Sequence, residues 1–310
     1  MIITKKDFLS LDELSAYEFS ELMSFIAKVK AKPQSYRKGL QNRILAMIFQ
    51  NPSLRTRMAF EIGVLQLGGN AVFINPSDIQ MGTRESITDM GKNLERWVDG
   101  IVLRTNEHQT VVDLAAATEI PVINAQTDLH HPCQTAADFF TLLEKKEHLA
   151  GLSLAWVGGG SGICENLILA ASKCGCHLSV ATPPGHDPDP EIIERAQKHG
   201  KETEAEFSFS HDPAAAVREA DAVYTDSWPP PEKEEEREAL RKVFAPYRVD
   251  GDLMAKAKPD ALFMHGLPVR RGEEVTDEVI DSKQSIVYDQ AENRLHIQKA
   301  IMLLLLGNRK

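Results

Sequence analysis

The chain has 310 residues, 43% hydrophobic and 26% charged, which is enough to bury two ordinary cores and is the balance of a globular protein. A formal net charge of -10 argues against general nucleic-acid binding, which needs a basic face. The first residues carry no apolar stretch of signal-peptide length. The longest apolar run, IMLLLL at 301–306, is far too short to span a membrane.

In chain order, short apolar runs alternate with amphipathic stretches. Strands are expected at 43–49, 70–75, 100–104 and 121–124, with helices at 54–67, 86–97 and 109–117 between them. The pattern repeats in the second half. There, strands are expected at 152–158, 177–182, 222–228, 261–267 and 285–289, separated by helices near 162–174, 190–199, 212–219 and 250–257. This alternation implies an α/β protein of two tandem domains, each a parallel sheet flanked by helices. The division falls near 140–151, giving a first domain over 1–145 and a second over 146–288. A last helix over 289–310 returns to the first domain. Ligand sites are expected at the carboxyl ends of the strands.

Four cysteines, Cys133, Cys164, Cys174 and Cys176, are too few and too irregular for a disulfide framework, so a reduced, cytoplasmic protein is expected. Cys174 and Cys176 have no second Cys or His pair nearby, and no metal is expected. The stretch PPPEKEEERE at 229–238 cannot join a helix or a central strand at its prolines. It reads as a solvated face, or as part of a lid next to a strand end.

The most informative segment is NPSLRTRMAF at 51–60, placed after a strand and opening a helix. Ser53 is a suitable N-cap, and the unpaired first-turn amides together with the helix dipole attract an anion. Arg55, Thr56 and Arg57 add two guanidinium groups and a hydroxyl to a first turn, where the cations oppose the dipole unless an anion is bound. Phosphate resolves the conflict. Further along, His131 and Gln134 in LHHPCQTAAD follow a strand, Arg104 ends another, and Arg294 lies on the final helix. A buried strand that ends in arginine suggests a captured anion or carbonyl oxygen.

These residues, with LGGNAVF, the segment 78–86, FMHGLPVRRGEEVTDEVID and YDQAENRLHIQKA, run nearly the whole length of the chain. In that order they resemble the aspartate/ornithine carbamoyltransferase family, most closely its ornithine branch. The resemblance implies transfer of a carbamoyl group from carbamoyl phosphate to an amine, without metal or organic cofactor. It implies that Ser53, the Leu54 amide, Arg55 and Thr56 hold the phosphate. Arg104, His131 and Thr56 would bind the carbonyl oxygen, while Gln134 and the Leu267 carbonyl take the NH2 group. Arg294 would close on the ligand from the last helix. Arg55, Thr56, Arg104, His131 and Gln134 are thus the expected catalytic set. Family members are trimers, and Gln80 would reach a neighbour's site.

The amine-binding half departs from the family. His-Cys-Leu-Pro stands here as His265-Gly266-Leu267-Pro268, and Pro230-Pro231-Glu232 replaces Ser-Met-Gly after Thr225-Asp226-Ser227-Trp228. Gly158-Gly159 and Ser161-Gly162 replace the Gly-Asp and paired asparagines. The expected acceptor residues are Asp226, Ser227, Gly266, Leu267 and Gly162, and ornithine is the first expectation. An N-acylated ornithine, another amine, or a non-catalytic paralogue that binds carbamoyl phosphate or an amino acid are the alternatives. The VGGGSG turn suggests a dinucleotide-binding oxidoreductase. However, Ile163 stands where the third glycine is required, and HLSVAT ends without the acidic residue that would hold a ribose.

Overall fold

In the computed structural model, residues 5–79, 81–160, 162–228 and 236–307 are described. Two compact units emerge: one comprises 1–137 with 292–310, the other 138–291.

The first unit opens with α1 (Ala16–Ala31). Its start is fixed by a capping box: Ser15 Oγ accepts from the Glu18 amide and Glu18 Oε2 accepts from the Ser15 amide. There follow β1 (Ile44–Phe49), α2 (Leu54–Gln66), β2 (Asn70–Ile74), α3 (Pro76–Ile79), α4 (Ile87–Leu94), β3 (Gly100–Arg104), α5 (His108–Ala117) and β4 (Val122–Gln126). The strands form one parallel sheet in the order β2-β1-β3-β4. β1 runs outward to β2 and the chain then returns to the other side for β3. The direction of winding therefore reverses between β1 and β3, where an open α/β sheet places its ligand crevice. Ala46, Ile48, Ile101, Leu103, Leu114 and Val122 fill one core of this unit.

α6 (Pro132–Lys146) contains the first boundary between units. The second unit continues with β5 (Ser153–Val157), α7 (Ile163–Cys174), β6 (His177–Ala181), α8 (Pro190–Thr203), β7 (Phe207–Ser210), α9 (Pro213–Val217) and β8 (Ala222–Thr225). It ends with α10 (Arg237–Phe244), α11 (Gly251–Met254), β9 (Leu262–His265) and α12 (Asp277–Ile280). Its sheet is also parallel, in the order β7-β6-β5-β8-β9, so here the winding reverses between β5 and β8. Asp189 and Asp212 cap α8 and α9 just ahead of a proline at the first helical turn, the arrangement in which a missing amide costs least.

The last helix, α13 (Val287–Leu306), starts in the second unit, and its residues from Glu292 onward belong to the first. Contact with α2 is close: a Cβ on Gly63 would lie 2.9 Å from the Met302 side chain. Among the described residues no helix is long and apolar enough to cross a membrane.

Two strands differ from the sequence expectation. The run 285–289, expected as a strand, makes one bridge from Ser285 to Phe263, and the Ile286 amide donates to the Phe263 carbonyl at 3.0 Å. The chain then turns directly into α13, because the apolar positions beyond Val287 (Ile297, Ala300, Ile301, Leu305) recur at helical spacing and are buried. Conversely, FSFS at 207–210 is a strand that the apolar runs did not reveal. It lies at a sheet edge and is only half-buried, so polar serines alternate with its phenylalanines.

Candidate functional site

At the reversal point of the first sheet, Phe49 of β1 is in register with Arg104 of β3, so the loops leaving both strands begin side by side. The loop after β1 ends at Ser53, whose Oγ caps α2 by accepting the Thr56 amide at 3.3 Å. That turn puts the Thr56 hydroxyl inward, where the residue is 1% exposed, and leaves Arg55 half-buried. The Leu54 side chain points to solvent. From α13, Arg294, itself 2% exposed, donates to Gln134 Oε1 at 2.5 Å and to Thr56 Oγ1. One guanidinium thus joins the start of α2, the start of α6 and the last helix. His131, just before α6, is also buried.

The electrostatics of this cluster are one-sided. Burial, then the charges of Arg294 and Arg55, bring the Arg104 guanidinium down to about 10. Burial, then Arg294 and Arg104, hold the His131 imidazole well below its ordinary value, so it is neutral at physiological pH. The arginine charges that act on these two groups all disfavour their protonated forms. Arg104 Nε is buried and makes no hydrogen bond among the described residues. Gathering cations at a helix N-terminus opposes the dipole as well. An anion placed there would relieve both repulsions and find a ready set of donors.

Arg57 does not join this cluster. Its Nε pairs with Glu61 Oε1 at 2.9 Å, and its guanidinium lies 3.7 Å over the Phe73 ring, because the next position of the helix faces β2 instead of β3. The expectation of two first-turn guanidiniums is therefore corrected to Arg55 alone. A cleft of about 560 Å³ opens on that side, lined by Phe49, Asn51, Ser53, Leu54, Arg57 and Phe73. Gln80 lies outside the described residues.

In the second unit the expected acceptor residues surround the reversal point between β5 and β8. The loop after β5 is tightly folded. A Cβ on Gly160 would sit 2.3 Å from the Pro188 nitrogen, and the Gly160 amide donates to the His186 carbonyl. Gly160 therefore serves close packing of the chain on itself. Gly162 supplies the N-cap position of α7 with φ 62, and no side chain caps that end. At the end of β8, Asp226 is partly exposed, and the Ser227 hydroxyl donates to the Pro268 carbonyl at 2.9 Å. This ties the ends of β8 and β9 together. Leu267 adopts φ 53 and is followed by a cis peptide to Pro268.

Sequence reasoning missed the polar groups under that turn. His265 and Glu274 are fully buried, with His265 Nε2 3.2 Å from Glu274 Oε1. The His265 amide donates to Gln290 Oε1, whose Nε2 donates to Asp138, and Asp138 also accepts the Tyr224 hydroxyl. Both motifs that carry the pair, HGLP and RRGEEV, are visible in the sequence, but a nine-residue separation across a loop gives no periodic signal that they meet.

The chain matches two family models. One, "Aspartate/ornithine carbamoyltransferase, carbamoyl-P binding domain", covers residues 6–144; the other, "Aspartate/ornithine carbamoyltransferase, Asp/Orn binding domain", covers 150–305. It is 45% identical to the ornithine carbamoyltransferase of Thermococcus kodakarensis, over 98% of both chains. It is likewise 45% identical to that of Carboxydothermus hydrogenoformans, over 97% of this chain and 98% of the relative. The structure superimposes on the ornithine carbamoyltransferase from Pyrococcus furiosus with a TM-score of 0.95, at 43% identity and 98% coverage of each. On that from Thermus thermophilus the TM-score is 0.89, at 38% identity, over 98% of this chain and all of that one. With near-complete coverage in sequence and fold, and with Arg55, Thr56, Arg104, His131 and Gln134 lying inside the matched carbamoyl phosphate domain, the chain belongs to the aspartate/ornithine carbamoyltransferase family.

Proposed function

We propose that the chain is a carbamoyltransferase that moves the carbamoyl group of carbamoyl phosphate onto the side-chain amine of ornithine and releases phosphate. The observation that carries this reading is the buried Arg294, bonded to Thr56 and Gln134, whose charge also acts on Arg104 and His131. Its support is the family to which the chain belongs.

In this reading the phosphate rests on the α2 start, held by Ser53, the Leu54 amide, Arg55 and Thr56. Arg104, neutral His131 and Thr56 donate to the carbonyl oxygen, and Gln134 orients the NH2 group. As the amine nitrogen attacks, negative charge gathers on that oxygen. Preorganised donors are worth most at this point, and losing one commonly costs roughly 10²–10³ in rate. The C–N bond forms and the C–O bond to phosphorus breaks. Phosphate leaves as hydrogen phosphate, carrying the proton lost by the amine. With an amine pKa of about 10.4, its deprotonation near pH 7.4 costs about 4 kcal/mol. Asp226, Ser227, Gly266, Leu267 and Gly162 are assigned to the amino acid.

We further assign a homotrimer working in the cytoplasm. The exposed row Leu54, Met58, Ile62 and Leu65 along α2 supports self-association, since an isolated surface helix rarely leaves such a stripe in water. The free thiols Cys133, Cys164, Cys174 and Cys176 accord with a reducing compartment.

The test is release of phosphate and formation of the carbamoylated amino acid from carbamoyl phosphate with a panel of amines. Turnover with ornithine above every other amine is expected. Tight binding of carbamoyl phosphate without turnover on any amine would overturn the reading.

A further inference from the structure

The buried pair beneath the turn after β9 has a constrained chemistry. The Leu267 amide lies 2.8 Å from His265 Nδ1, and a backbone N–H can only donate, so Nδ1 is the acceptor. The ring proton therefore sits on Nε2, which donates to Glu274 Oε1 at 3.2 Å. The same Oε1 accepts the Arg270 amide at 2.6 Å. The pair thus holds the backbone on both sides of the turn, at Leu267 and at Arg270. Between these points, the Pro268 carbonyl takes the Ser227 hydroxyl. Asp226 Oδ1 is 3.8 Å from His265 Nδ1, too far to compete with the amide already there. Leu267 needs such support, because φ 53 is costly for a side chain branched beyond Cβ and persists only where its surroundings over-determine it.

We propose that His265 and Glu274 are positioning residues that hold the 266–268 turn in the shape that receives the acceptor amino acid, and that His265 takes no part in proton transfer. This rests on the assignment of unit-two strand ends to the acceptor. Both imidazole nitrogens are committed to the protein itself, and with neither side chain exposed they do not face the solvent-accessible end of the strands. The pair instead transmits the rigidity of the buried network, through Gln290 and Asp138, to the 266–268 turn.

The experiment compares His265→Asn, His265→Ala, Glu274→Gln and Glu274→Ala in the full chain. Asparagine places an acceptor near the Nδ1 position, and glutamine keeps an oxygen for Arg270 and the ring. Exchange of the Leu267 amide with solvent deuterium reads the turn whatever the acceptor is. It is expected to stay slow in wild type, His265→Asn and Glu274→Gln, and to speed up by about tenfold or more in the alanine variants. In turnover, the alanine variants are expected to raise KM for the acceptor by about tenfold or more. Their kcat should stay within about threefold, while the two conservative variants restore KM. The limbs of the pH profile should be the same in all. Unchanged exchange at Leu267 would overturn the proposal. So would a loss of kcat in His265→Asn with disappearance of a pH limb, which would make the imidazole a proton carrier. Absence of turnover by the wild type with any amine would instead sink the functional reading, leaving the exchange result to decide the role of the pair.

Discussion

Replacing Arg294 by methionine separates what the cluster costs the empty protein from what it contributes to the donor. Methionine roughly fills the buried stem, but the two bonds to Gln134 and Thr56 disappear. Hydrogen bonds to a charged group are worth about 1.5–3 kcal/mol each, so the gross loss is about 3–6 kcal/mol. Opposing this, one of the cations repelling Arg104 and His131 is gone. The net destabilisation of the empty protein should therefore be only about 1–3 kcal/mol. A bound phosphate dianion loses one charged donor with no such relief, which raises the Kd for carbamoyl phosphate roughly 10- to 150-fold. Isothermal titration at 25 °C gives that ratio, and urea unfolding gives the stability change. A third reading follows from sign alone: with Arg294 absent, the His131 imidazole moves up towards its ordinary value, visible in an NMR titration. A Kd within about threefold of wild type, or a His131 titration that does not move, would refute the reasoning.

The buried His131 also makes stability depend on pH. Its folded value lies below the unfolded value of about 6.5, so its contribution is complete above that pH and is lost as pH falls further. Urea midpoints should therefore fall more between pH 7.5 and 5 in the wild type than in His131→Gln; equal falls would count against a neutral buried imidazole. Because Arg104 is lowered to about 10 by burial and neighbouring cations, binding of a phosphate anion near pH 9.5 should take up protons. Titration in two buffers of different ionisation enthalpy measures that uptake, and none would contradict the cluster's electrostatics. Gly266→Cys should lower KM for ornithine relative to other amines, and an unchanged amine profile would place that position outside the acceptor pocket. Leu65→Glu, at the exposed end of the α2 row, should shift the sedimentation mass from three chains towards one. A wild type that sediments as a single chain would remove the trimer.

Much of the first unit's site was legible because its signals are local. A serine cap, a following arginine and threonine, and a strand ending in Arg104 all lie within single loops, and the register Phe49 to Arg104 brings those loops together. What local pattern could not give was direction around the helix. Arg55 and Arg57 read alike in sequence, yet Glu61 and Phe73 draw Arg57 to the other face. Similarly, SIVY has the β-branched and aromatic composition of a strand, and only the helical spacing of Ile297, Ile301 and Leu305 further on shows where it leads. The edge strand Phe207–Ser210 escaped because none of its residues is buried and serines alternate with its phenylalanines. In the second unit, the His265–Glu274 pair is a tertiary fact. It joins residues whose spacing has no meaning until the turn between them is folded.

The account depends above all on a phosphate seat at the start of α2, and diffraction from crystals soaked with carbamoyl phosphate tests it directly. The predicted density has phosphate against the Ser53–Thr56 turn, with Arg55 turned onto it and the carbonyl oxygen within reach of Arg104 and His131. Density for the donor elsewhere, with that turn empty at saturating concentration, would contradict it.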